Sequence, residues 1–281
     1  MIISILFALL TVLLLSGGAV FYKLSVKDSE PYSVTSVKTV AVIVVTLIYA
    51  SFTGAYVDIT SVGGLNLFYL IISGVALGGA WLFHSYALKG SELVRVQPII
   101  SFQPIMMMLM SMMFLYEGYS LLTIVAISLA GAGTVLMSWK KGNKRWMLFA
   151  WLSVVLAAVS LFLARTGAYS VNYTLGVMTE SVVIFAMLWI TAFAKGKKNI
   201  FSGVTVKGAF FMVLAVLSMT LAAFSVQYVG AIEGVSLDKY IKLATLMLTV
   251  AGGGAMLKEK PSSMNVAGIM LVVAGVVVSI F

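Results

Sequence analysis

Residues 65–88 read LNLFYLIISGVALGGAWLFHSYAL, a stretch with no Asp, Glu, Lys or Arg. At 1.5 Å rise per residue, a helix over it is about 36 Å long, enough to cross the ~30 Å hydrocarbon core of a bilayer. A soluble helix keeps a polar face for water, and this run has none. It reads as a membrane span.

The same reading extends in both directions. Comparable apolar runs cover 2–22, 32–53, 96–116 and 119–138 on either side of it, then 146–164, 174–194, 207–230, 238–257 and 263–281. The expected fold is an all-α integral membrane protein of ten transmembrane helices. Composition agrees, since 62% of the 281 residues are hydrophobic and only 10% are charged. Soluble domains carry about a quarter charged residues, and a chain this apolar could not cover itself against water. Met1 to Phe21 lacks the basic start and small-residue cleavage site of a signal peptide, and reads as the first span. The absence of cysteine excludes disulfides and thiolate metal sites. One histidine, His84, is too few for a histidine metal centre. No metal, cofactor or nucleic-acid partner is expected, and the partners are the lipid bilayer and a small solute.

The breaks between runs are chemically apt. Lys27-Asp28-Ser29-Glu30-Pro31 and Lys195-Gly196-Lys197-Lys198 are hydrated turns; Glu117-Gly118-Tyr119-Ser120 and Lys258-Glu259-Lys260-Pro261-Ser262 are tight ones. The odd-numbered connections hold Lys23, Lys27, Lys89, Arg95, Lys140, Lys141, Lys144, Arg145, Lys195, Lys197, Lys198, Lys207, Lys258 and Lys260. The even-numbered ones hold only Arg165 and Lys239. By the positive-inside rule the odd connections are cytoplasmic and both termini lie outside. The net charge of +9 is therefore read as membrane orientation.

A shift of 142 residues aligns the chain with itself without a gap. Leu6-Phe7-Ala8 meets Leu148-Phe149-Ala150, Lys23 meets Arg165, Phe68 meets Phe210, and Tyr86 meets Tyr228. Leu115-x-Glu117 meets Leu257-x-Glu259, Ser120 meets Ser262, and Ala132-Gly133 meets Ala274-Gly275. Each repeat, 1–142 and 143–281, holds five spans. An odd number forces the two halves into opposite orientations, the architecture of many secondary transporters.

The frame of that repeat resembles the EamA-type half-repeat of the drug/metabolite transporter superfamily. The resemblance is carried by Ala87-Leu88-Lys89-Gly90-Ser91 through Pro98, by Pro104 to Glu117, and by Gly131 and Gly133. Val229 to Glu259 and Gly268 to Gly275 carry it in the second half. It implies a ten-helix bundle with a central cavity that exports or imports small metabolites. It also implies a basic residue at the position of Lys38 and both termini in the cytoplasm, the reverse of the charge count. One departure is that Pro104 has no counterpart, Leu246 standing at its place.

Charged groups inside a bilayer cost about 2.5–3.5 kcal/mol each on insertion scales, so those retained invite a function. Lys38 and Glu180 hold equivalent repeat positions, each about six residues and roughly 9 Å into its span. They read as opposite charges that bind an amino-acid-like or other charged solute, or, for Lys38, as a side chain that snorkels to the interface. Asp238, Lys242, Thr245 and Thr249 share one face of the ninth span. They read as a cavity-lining stripe or as an Asp238–Lys242 pair that starts the helix. In the fourth span Gln97, Ser101, Pro104 and Met108 form a similar face, where Pro104 removes a backbone hydrogen bond and predicts a kink.

His84, beside Trp81 and Tyr86, suits a proton-linked step or plain hydrogen-bonded packing. Tyr86 and Tyr228 present hydroxyls to solute or anchor at the interface, and Trp81 and Trp189 carry the same two readings. Glu117 and Glu259 read as helix caps in the turns that precede helices. No HExxH, P-loop or nucleophile motif occurs, so neither an enzyme nor an ATP-driven pump is expected.

The expected function is secondary transport of a small metabolite across the cytoplasmic membrane by a monomer, with proton coupling through a titratable site residue. The second, third, fourth, seventh and ninth spans would line the cavity, with Glu180 and Lys242 binding or coupling charge and Lys38 in support. The rivals are a lipid-linked metabolite flippase and a non-transporting scaffold or receptor partner.

Overall fold

The computed structural model describes residues 2–53, 63–115, 121–138, 145–167, 173–196, 199–233, 236–259 and 262–278. Among these residues the chain is helical throughout, with no strand. The helices are α1 (Ile2–Lys27), α2 (Pro31–Thr53), α3 (Gly64–Gly90), α4 (Leu93–Ile100), α5 (Gln103–Leu115) and α6 (Leu121–Ser138). They continue as α7 (Arg145–Gly167), α8 (Tyr173–Ala194), α9 (Val206–Glu233), α10 (Ser236–Met256) and α11 (Ser263–Val278), with a 3-10 turn at Phe201–Gly203. α1, α2, α3, α7 and α8 are each long and apolar enough to cross a bilayer, and shorter apolar helices run through α6, α9, α10 and α11.

The one run that differs from expectation is 96–116. It begins earlier, at Leu93, and divides into α4 and α5 at Ser101 and Phe102. Pro104 supplies the reason. A proline has no N–H to give the carbonyl four residues back and its ring collides with that carbonyl, but it is tolerated in a first turn. The chain therefore stops α4 at Ile100 and restarts at Gln103, which places Pro104 second in α5. The Ser101 and Phe102 amides still find Gln97 O (2.9 Å) and Ile99 O (3.0 Å).

The exterior is unlike that of a soluble protein, although the core between the helices is also largely apolar, with Leu88, Leu93, Ile99 and Ile184 buried. Large apolar groups face outward, among them Leu6, Leu13, Phe68, Ile190, Phe193 and Phe210. Hydroxyls are interspersed in that core: Ser16, Thr35, Ser73, Ser85, Ser153 and Ser160 are all buried. Most buried hydroxyls of this kind bond to a carbonyl of their own helix, as Thr35 does to Pro31 O and Ser36 to Tyr32 O. Lipid tails solvate the outer face, and small interior side chains let the helices approach. Gly133 shows how close: a Cβ there would lie 2.9 Å from the Val272 backbone nitrogen, so α6 meets α11 backbone to backbone.

Helix pairing follows a regular scheme. α3 packs on α7 and α1 on α9; α1 packs on α10, and α4 and α5 on α7; α3 packs on α8 and α2 on α9. α2 meets α8, α4 meets α10, and α6 meets α11. Exchanging the helices of residues 1–142 with those of 143–281 turns each of these pairs into another of them or into itself, whereas α2 on α3, α1 on α3 and α4 on α11 also pack and have no such counterpart.

The basic connections gather at one end of the bundle. Lys89 Nζ donates to Lys27 O (2.6 Å), Glu30 N to Gly203 O (2.8 Å), and Gly90 abuts Trp146.

Candidate functional site

Two polar clusters sit in the apolar interior, one around each of the equivalent positions Lys38 and Glu180. Lys38 and Thr35 are three apart on α2, while Trp81, His84 and Ser85 fall at i, i+3 and i+4 on α3. Helical periodicity places each set on a single face. The two faces meet against Tyr22 of α1, whose side chain is 1% exposed.

Lys38 is 7% exposed. Its Nζ lies 3.8 Å from the centroid of the Trp81 ring and 4.6 Å from that of Tyr22. No carboxylate among the described residues pairs with it. Two aromatic faces attract an ammonium, each by about 0.5–2 kcal/mol, but leave its three N–H donors without acceptors. Around it the hydroxyls are already engaged: Tyr22 Oη with Ser85 Oγ, and Ser85 Oγ with Thr35 Oγ1 at 2.7 Å. The His84 ring lies 5.6 Å from that of Tyr22, and its Nε2 is buried without a partner. A caged cation beside an unused imidazole nitrogen is suited to an anionic group with several acceptor oxygens.

Glu180 lies in α8 at the crossing with α3 and α7. The Ser73 hydroxyl donates to its Oε1 and sits 3.0 Å from the Ser160 hydroxyl, which can donate in turn. Close contact makes this possible, because a Cβ at Gly74 would stand 2.8 Å from Val183 Cβ. Glu180 is half-buried and keeps its second oxygen free for another partner.

Lys38 and Glu180 therefore belong to one helix pair, α2 and α8, without touching. Glu30 N donates to Gly203 O beyond the end of α8, Tyr32 Oη meets Thr191 Oγ1 (2.5 Å), and Trp189 Nε1 donates to Ser36 O (3.1 Å), so the helices run antiparallel with Ser36 level with Trp189. Counting residues from that point separates the two charges by on the order of 10 Å along the crossing. Trp189 thus serves the helix contact.

The other expected site residues divide. Trp81 and His84 join the Lys38 cluster. Tyr86 lies on the side of α3 that meets α7, its ring 5.5 Å from Phe149. Ser101 closes α4, donating to Gln97 O at 3.0 Å. Thr245 accepts from Ser16 Oγ through its carbonyl (3.3 Å) while its own hydroxyl is buried without a partner, and Thr249 donates to the same carbonyl. The side chains of Tyr228, Asp238, Lys242, Pro104 and Met108, and the whole of Glu117, lie outside the described residues.

Sequence reading passed over Tyr22, Thr35, Ser73 and Ser85. Thr35 and Ser85 carried a signal, being on the faces of Lys38 and Trp81; nothing local marks Tyr22 or Ser73. The 142-residue shift takes Tyr22 to Ala164, Trp81 to Ala223 and His84 to Val226. The cage belongs to the first half alone.

Glu259 is a cap, as its place in a turn suggests, but of a different helix from the one it precedes. Its oxygens accept from Leu93 N and Val94 N, both at 2.9 Å, at the start of α4.

A lipid-facing apolar exterior, hydroxyl-lined helix contacts and charged groups held inside define a multi-pass helical membrane protein. Residues 2–139 match the family model of the EamA-like transporter family. Over those residues, about the first half, the chain is similar to that family of membrane transporters. A relative from Sinorhizobium sp, described as "Uncharacterized transporter in cobO 3'region", is 28% identical over 131 residues, 47% of this chain and 93% of that protein. A solved crystal structure covers 98% of this chain and 96% of its own at 17% identity and a TM-score of 0.65, a likeness of fold.

Proposed function

We propose that this protein is a secondary transporter that moves a small polar or charged solute across the cytoplasmic membrane by alternating access. The observation that carries the reading is Lys38: a buried cation caged by Tyr22 and Trp81, with no carboxylate partner among the described residues. A buried charge left without a counter-ion costs several kcal/mol, and a fold gains nothing by keeping one. An anionic group of the solute supplies the counter-ion. Glu180, with one oxygen engaged by Ser73, is placed to receive a cationic group or a proton, and His84 is the second candidate for coupling.

The two halves, 1–142 and 143–281, act as inverted five-helix repeats. The gapless repeat and the interchange of helix pairs support this, because equivalent halves allow equivalent states open to opposite sides. One chain suffices for the pathway, so the working unit is a monomer. The basic end faces the cytoplasm by the positive-inside rule, which puts both termini outside.

The test is thermal unfolding of purified protein with a panel of small carboxylates, phosphate esters, amino acids and amines. A ligand at 100 times its Kd stabilises by about 2.7 kcal/mol. An anion-bearing solute should stabilise the parent and leave Lys38→Met unmoved. Stabilisation of both proteins alike, or by no solute, would overturn the role given to Lys38.

A further inference from the structure

We propose that Glu259 is a latch between the two halves, whose carboxylate closes the basic end of the bundle and must leave its seat for that end to open. The proposal takes its purpose from the transport reading, but its geometry stands apart from it.

The first amides of a helix have no partner within the helix and need one from elsewhere. α4 begins with Glu92 at its N-cap, and that side chain makes no cap: it turns to Arg95 instead, 2.9 Å from Nε. The start of α4 takes its cap from Glu259, 166 residues away in the turn between α10 and α11. Both carboxylate oxygens are used, one on each amide, in charge-assisted bonds aimed at the positive end of the helix.

The turn is shaped for this task. Lys258 sits at φ 56°, a left-handed conformation that costs a residue with a Cβ about 1–2 kcal/mol, and it turns the chain so that Glu259 faces α4. Behind the carboxylate, α10 meets α4 closely: a Cβ on Gly253 would lie 2.9 Å from Val94 Cγ2 and 3.3 Å from Glu259 Oε2. Lys23 of α1 donates to Leu88 O and Ser91 O, holding the α3–α4 turn from its other side. The Asn265 amide, assigned with its oxygen toward Arg95 at 3.0 Å from Nε, adds a contact from α11.

Each bond in this group can be made or broken without unfolding a helix. α4 is short, spans two turns and is already separated from α5 at Ser101, so it can move as a unit. A helix that needed a permanent cap could take one from its own N-cap residue, as most do. Taking it from the opposite half makes the cap depend on how the halves sit, which is what a latch requires.

The chain has no cysteine, so two can be introduced and read alone. Spin labels at Ser91→Cys, in the α3–α4 turn, and Ser263→Cys, at the exposed start of α11, report the distance across the latch in lipid nanodiscs without solute. The parent should give one narrow distribution. Glu259→Gln, which loses one accepting oxygen and the charge, should add a second population several ångström longer. Glu259→Asp keeps the charge but falls short of both amides, and serves if the glutamine variant does not fold. Folded variants with the parent's distribution overturn the latch. A shifted distribution in a protein that moves no solute leaves the latch standing and removes the transport reading; solute flux with an unshifted distribution does the reverse.

Discussion

The ammonium of Lys38 lies 3.8 Å from the centre of the Trp81 ring, one helix away, and has no acidic partner among the described residues. The arrangement is one a stability-driven interior would discard. Replacing a buried charge by an apolar side chain of similar volume is often neutral or stabilising by about 1–4 kcal/mol. Lys38→Met should therefore raise the melting temperature of the ligand-free protein while lowering solute flux at least tenfold. Thermal unfolding and a flux assay on the same preparation check it. A variant that melts below the parent would mean that Lys38 serves the fold.

Glu180 should separate binding from coupling. Glu180→Gln keeps an acceptor for Ser73 and the volume of the side chain, so stability should change by less than about 1 kcal/mol. Flux should fall, and its dependence on pH should flatten, since the variant carries no proton to exchange. Flux measured between pH 5.5 and 8.5 decides. A rate equal to the parent's at every pH removes Glu180 from the mechanism.

Gly133 tests the packing of α6 on α11. A Cβ there meets the Val272 backbone nitrogen at 2.9 Å, and backbone cannot turn aside as a side chain can. Gly133→Ala should destabilise the protein by about 1–3 kcal/mol, the usual range for overpacking. Gly131→Ala, where a Cβ meets nothing within 4 Å, is the control and should be neutral or slightly stabilising.

Orientation is a fourth expectation. Lys27, Lys89 and the Glu259 turn lie at one end, which the charge rule assigns to the cytoplasm. A reporter fused after Phe281 that is active only in the cytoplasm should stay dark, and one active only outside should report. The opposite pattern would reverse the assignment and agree with what the EamA resemblance implies.

Much of the frame was open to sequence reading, for physical reasons. A bilayer demands long uncharged helices and tolerates no irregular backbone against lipid, so every apolar run but 96–116 maps onto a single helix of the described residues, with ends shifted by at most about five residues. Pro104 pointed to a kink, and the chain breaks there between α4 and α5, although Pro98 sits inside α4 without ending it. Contacts between distant segments were not open in this way. Periodicity puts Trp81, His84 and Ser85 on one face of α3, but only the packing of three helices shows that Tyr22 and Lys38 stand against it. The turn around Glu259 suggested a cap, yet the amides it holds belong to a helix 166 residues earlier, and no local pattern points there. The repeat matched Lys38 with Glu180, but only the antiparallel crossing of α2 and α8 shows that the two stand apart, each with its own partners.

The most direct test of the account is flux. The solute that stabilises the parent should be taken up by proteoliposomes containing it, with a rate that saturates, and uptake should fall at least tenfold with Lys38→Met at equal protein loading. A solute that binds at Lys38 but never crosses the membrane, in the parent as in the variant, would contradict the account and leave a protein that binds without transporting.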